Sequence, residues 1–179
     1  PGLFEKAPVA VTRLTGEEFG KNINKSALAK AADALLRKLQ AGLPLTNSDT
    51  GWDLVISKKD RRKMGDNADQ TPADSKAVAG LVDLVRYAVL AESHPDREHQ
   101  NPQVSAIHRF YAPVKIGNTL YRVKLTVKDY SESFNRQNLH AIETLEIENA
   151  LPLGTLPAHE TALQSKRQAQ PTTTERTIS

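Results

Sequence analysis

Five residues between positions 104 and 140 carry the side chains that metal-free phosphodiester chemistry needs: His108, Tyr111, Arg122, Lys124 and His140. Cleaving RNA without a metal takes a base for the ribose 2′-hydroxyl proton and an acid for the leaving oxygen. It also takes cations to stabilise the charge on the phosphorane. Imidazole titrates near neutrality and can act as acid or base. His140 is therefore the first candidate for proton transfer, Arg122 and Lys124 for holding the phosphate, and Tyr111 for stacking or proton donation. Glu143 or Glu146 could partner the acid–base step, or be ordinary solvated strand residues. His108 reads two ways. Strict alternation puts it on an apolar side, where a buried neutral histidine with one hydrogen bond is usual, whereas a bulge could re-aim it toward a site. His94 and His99, beside Asp96 and Glu98, invite a metal reading, but loop histidines without further ligands are usually just polar. The chain has no P-loop, dinucleotide fingerprint, HExxH or EF-hand loop, and no metal or other cofactor is expected.

These residues need a sheet to position them. The stretch 104–130 reads VSAIHRFYAPVKIGNTLYRVKLTVKDY, two β-prone runs around Gly117-Asn118, a dipeptide suited to a two-residue hairpin turn. With that turn, Ile116 faces Thr119, Val114 faces Tyr121, Phe110 faces Leu125 and His108 faces Val127, on one apolar face. The opposite face carries Arg109, Tyr111, Lys115, Arg122, Lys124 and Lys128. Like charges facing one another are unfavourable. Such a face either meets a polyanion, whose phosphates attract cations and whose bases stack on aromatic rings, or simply keeps the sheet soluble. Leu139 to Glu148 alternates as a third strand, with Leu139, Ala141, Leu145 and Ile147 toward the core. His140, Ile142, Thr144 and Glu146 are then expected on the basic side.

Helices should cover the apolar face. Ser26 can cap a helix through about Gln40, and Thr71-Pro72-Ala73-Asp74 opens another that should run to about Ala91. Trp52 to Ile56 reads as a strand, Ala7 to Leu14 as a short strand or extended arm. Ser57 can cap a basic helix bearing Lys58, Lys59, Arg61 and Arg62, which would suit phosphate at its N-terminus or be a solvated turn. Glu92 to Gln103 reads as a polar loop.

The 179 residues, 39% hydrophobic and 25% charged, suit one soluble domain with tails. The net charge of +3 is mild, so its distribution matters more than its total. Without cysteine there is no disulfide and no thiolate metal site. No apolar run approaches the roughly 20 residues of a membrane span. Beyond Ala150 bulky residues thin out, and a disordered C-terminal tail is expected. The expected organisation is an N-terminal helical region (1–50), an α+β core (51–150) and a flexible tail (151–179).

The blocks WDLVISKKDRRKM, YAVLAES and HRFYAPVK…YRVKLTVK resemble the phage-associated nuclease-like domains of the barnase–EndoU–colicin–RelE fold. Such domains occur in phage large polyvalent proteins and bacterial polymorphic toxins. The resemblance spans roughly Gly51 to Glu148. It implies an α+β fold with N-terminal helices packed on a small antiparallel β-sheet. It also implies a metal-independent endoribonuclease, acting on RNA, tRNA among the candidates, by acid–base transphosphorylation. The catalytic set would be His140, His108, Arg122, Lys124 and Tyr111, with Lys58, Lys59, Arg61, Arg62, Arg109 and Lys128 binding RNA. An immunity or antitoxin protein is an implied partner, and the cytoplasm of a host or target cell the implied location, reached as part of a larger secreted or phage-encoded protein. The alternatives are a non-catalytic nucleic-acid-binding module, or an interaction module, of a phage-derived polyvalent protein.

Overall fold

The computed structural model describes residues 10–57, 71–96, 104–130 and 139–151. In chain order its elements are β1 (Thr12–Leu14), α1 (Lys25–Ala41), β2 (Leu45–Thr46), β3 (Asp53–Ile56) and α2 (Pro72–Ala77). A 3₁₀ turn at Val78–Gly80 leads into α3 (Leu81–Tyr87), β4 (Val89–His94), β5 (Val104–Ile116), β6 (Thr119–Tyr130) and β7 (Leu139–Leu151). The expected basic helix after Ser57 and the expected tail beyond Leu151 lie outside the described residues.

The β5–β6 hairpin is the spine of the sheet. Its register pairs Ile116 with Thr119, Val114 with Tyr121, Phe110 with Leu125 and His108 with Val127, as a two-residue turn dictates. Only Gly117 in that turn takes a positive φ, 59°, which fits a turn whose first central residue is glycine. β7 runs antiparallel along the other side of β6. β4, antiparallel, and β1, parallel, share the outer edge of β5 end to end. Pro113, which has no N–H to donate, falls between the stretches that β4 and β1 occupy. Beyond β7 come β3, parallel to it, and then the two-residue β2.

α1 is capped by Asn24, two residues earlier than Ser26 would place it: its side-chain oxygen accepts the Ala27 N–H at 2.9 Å. Leu28, Ala32 and Leu36 face inward from it at helical spacing. α2 starts as expected, with Thr71 and Asp74 forming a reciprocal capping box and Pro72 at the first position. The other Asp74 oxygen accepts the Ile147 N–H at 2.7 Å, tying the helix start to the free side of β7.

The helix expected through Ala91 is interrupted at Val78–Gly80 and ends early, at Tyr87. At Gly80 a Cβ would sit 2.7 Å from the Thr12 methyl, so the chain passes β1 at a distance only glycine allows. Further on, the buried Asn47 amide donates to the carbonyls of Val85 (2.7 Å) and Ala88 (2.8 Å), closing α3. Ala88 is extended, and Val89–His94 becomes a strand where a helix end and polar loop were expected.

The expected fold class is thereby corrected. The protein is mostly β, 45% strand, and its sheet is a curled, mixed half-barrel rather than a small antiparallel sheet carrying N-terminal helices. The described residues form a seven-stranded sheet, and two of its strands come from the first 56 residues in parallel pairings. Parallel partners distant in the chain leave no turn signal between them, so local patterns do not announce them. The core lies in the concavity. Phe110, Leu125, Ile142 and Leu145 from the sheet meet Leu36, Leu81 and Leu84 from the helices, each at most 1% exposed. Burying each such side chain contributes about 1.5–3 kcal/mol.

Candidate functional site

The site is made by a bulge. Along β6 and β7, Thr126 pairs with Thr144 but Val127 pairs with Ile142, so Glu143 is an extra residue in β7. One inserted residue reverses which side chains face the core. Leu145 faces inward on one side of the bulge, Ile142 and with it His140 on the other. His140 thus lies on the face of His108 and the core, not on the basic face where uninterrupted alternation put it.

There three adjacent strands converge. β6 supplies Asp129, directly opposite His140 of β7; β5 supplies His108, opposite Val127 and therefore diagonal to Asp129. One carboxylate oxygen of Asp129 accepts from His108 Nε2 at 2.8 Å, and the other is hydrogen-bonded to His140 Nδ1. Ser93 of β4 closes the far side of His108, Oγ to Nδ1 at 2.6 Å. Trp52, just before β3, lies flat on His140 (centroids 4.3 Å, planes 1° apart) and edge-on to His108 at 4.8 Å. Its other edge contact, to Phe110, roots it in the core. The His108 side chain is 7% exposed, His140 20% and Asp129 19%. Burial pushes the Asp129 carboxyl up, but the His108 hydrogen bond and the charges of both imidazoles outweigh it and hold the group below its ordinary value.

A carboxylate fixing two imidazoles can orient them for proton transfer, relay charge between them, or offer three ligand atoms to a metal ion. Those three donors lie within 4.8 Å of one another.

The remaining candidates are on the opposite face, and each is matched by acid. Arg122 binds Glu148 at 2.7 Å and stacks over Tyr111 at 4.9 Å. Lys124 lies 3.7 Å from Glu146 and 3.9 Å from Glu148. Lys128 meets the buried Glu143 at 2.9 Å, which also accepts from Tyr130 at 2.8 Å. Arg109 donates to Thr126 at 3.1 Å and lies 3.5 Å from Glu92. Burial, with Glu148 and Glu92, raises the Tyr111 hydroxyl above its ordinary value despite Arg122 and Arg109. Arg122 and Lys124 therefore do not converge on His140: they are five or more residues along β6 from its partner Asp129, about 16 Å of strand, and on the other side of the sheet. Lys58, Lys59, Arg61 and Arg62 lie outside the described residues, as does His99, while His94 pairs with the Pro95 carbonyl at 2.9 Å.

Asp129, Ser93 and Trp52 are the site residues that sequence reasoning missed. The hairpin register carried a signal for Asp129, two residues beyond Val127 on the face of His108. Nothing local pointed to Ser93 or Trp52, whose strands reach the site through long-range pairing.

A family model described as large polyvalent protein-associated domain 3 matches residues 23–140. No curated protein and no solved structure matches the chain. Among the described residues, no helix is long and apolar enough to cross a membrane.

Proposed function

The chain belongs to the large polyvalent protein-associated domain 3 family, and from that premise we propose that it is a non-catalytic interaction module of a large polyvalent protein. The observation that carries this reading is the outer sheet face. Of the five hairpin cations on it, Arg109, Arg122, Lys124 and Lys128 each lie against a glutamate of the same face, and Lys115 does not among the described residues. Paired cations release fewer counterions to an incoming polyanion, which weakens the main source of nucleic-acid affinity. A mixed, self-matched surface suits a protein partner better than RNA, because complementary charge there sets register and choice of partner.

One observation favours a second reading, the metal-independent endoribonuclease: the imidazoles of His108 and His140 are both oriented by Asp129. A single assay separates the two. The purified chain is incubated with total RNA, with and without EDTA, and RNA binding is measured across salt concentrations. The interaction module leaves RNA intact and binds it no more tightly than about 10⁻⁴–10⁻⁶ M at physiological salt, the non-specific range. Cleavage in EDTA that His140→Ala reduces by about 10²-fold or more would replace this reading with the ribonuclease.

A further inference from the structure

We propose that His108, Asp129 and His140 form a binding site for one divalent transition-metal ion of the zinc type, which clamps the ends of β5, β6 and β7. Two imidazole nitrogens and a carboxylate, from a chain without cysteine, suit zinc and its first-row neighbours. They do not suit magnesium or calcium, which take oxygen ligands. The three donors come from three neighbouring strands, so their spacing is set by the sheet rather than by a loop. Their separations, at most 4.8 Å, compare with about 3.3 Å between ligands of a tetrahedral site with 2.0–2.1 Å bonds.

The surroundings fit the same chemistry. A metal-bound imidazole needs its proton on the distal nitrogen and an acceptor there. For His108 that acceptor would be Ser93 Oγ, 2.6 Å from Nδ1, which would free Nε2 for the ion. His140 meets Asp129 through Nδ1, so with an ion bound there its proton would sit on Nε2. Moving each imidazole proton to its far nitrogen converts the hydrogen-bonded cluster into three free lone pairs. Trp52, flat against His140, fixes that ring and shields one side of the site. Three protein ligands leave a fourth position for water or for a side chain of a bound partner. The competing account is a hydrogen-bonded His–Asp–His relay that needs no ion.

The test uses the full 179-residue chain, treated with chelator, dialysed, and titrated with ZnCl₂ in a calorimeter and in thermal melts, with MgCl₂ as control. One Zn²⁺ per chain is expected, with a Tm that rises with Zn²⁺ and not with Mg²⁺. His140→Ala should weaken Zn²⁺ binding by more than 10-fold, and Ser93→Ala, which removes only the support of His108, by about 10-fold. Both positions are at least partly exposed, so these variants report on the site where His108→Ala would risk the fold. His94→Ala should bind as wild type. A wild-type chain without stoichiometric Zn²⁺ binding overturns the proposal. So does binding that His140→Ala and Ser93→Ala leave unchanged, since the ion would then sit elsewhere.

Discussion

Asp129 commits both carboxylate oxygens to imidazoles, and Glu18 shows the same economy applied to backbone. Its carboxylate accepts from the Thr15 N–H (2.6 Å), the Thr15 hydroxyl (3.1 Å) and the Gly16 N–H (3.0 Å), fixing the turn that follows β1. Burial raises its pKa, yet these bonds prevail and lower it from the ordinary 4.5. A carboxyl whose folded pKa is depressed adds stability at pH values above its unfolded pKa, and that stability is lost as pH falls through the folded value. Glu18→Gln should therefore melt below wild type at pH 7, by a small margin because the group is exposed. The two melting curves should converge once pH drops below the carboxylate range. A difference that persists unchanged at low pH would show that shape, not charge, matters at this position.

At the scale of elements, the packing of the 3₁₀ turn against β1 leaves no room for a side chain. Gly80→Ala brings a methyl to 2.7 Å from the Thr12 methyl, and Thr12 is itself buried. A loss of about 1–3 kcal/mol is expected, read as a lower denaturation midpoint with an unchanged slope. Wild-type stability in this variant would mean that β1 can withdraw without cost. Elements that end on local chemistry were legible in the sequence: the Thr71–Asp74 cap and the Gly117-Asn118 turn carry their own signals, and the hairpin register followed. Elements decided by distant partners were not. Val89–Ala91 continues an apolar helical stripe on paper, yet Val89–His94 becomes β4 because β5 offers an edge and Asn47 closes α3. For the site, His108 and His140 were visible as residue types. Their meeting was hidden, because Glu143 has no signature that distinguishes a bulged residue from an alternating one.

For the whole molecule, order should decrease outward from β6. That strand is paired along its length on both sides, whereas β2 has two residues and one neighbour. In hydrogen exchange, the amides of Phe110 and Leu125 should open only with global unfolding, and those of Leu45 and Thr46 far sooner. Equal protection across the sheet would contradict this gradient. The arrangement at the margins of the sheet has a further consequence. One margin runs from the two-residue β2 onto the stretch of β7 beyond Ile142, which is bulged and has its Ile147 N–H taken by Asp74; the other is divided between β1 and β4, with Pro113 where they leave a gap. Neither offers the long, flat row of open amides on which strands from separate molecules stack into aggregates. A domain housed in a large polyvalent protein folds at high local concentration of other domains. Interrupted margins of this kind keep its β-rich chain from zippering onto its neighbours.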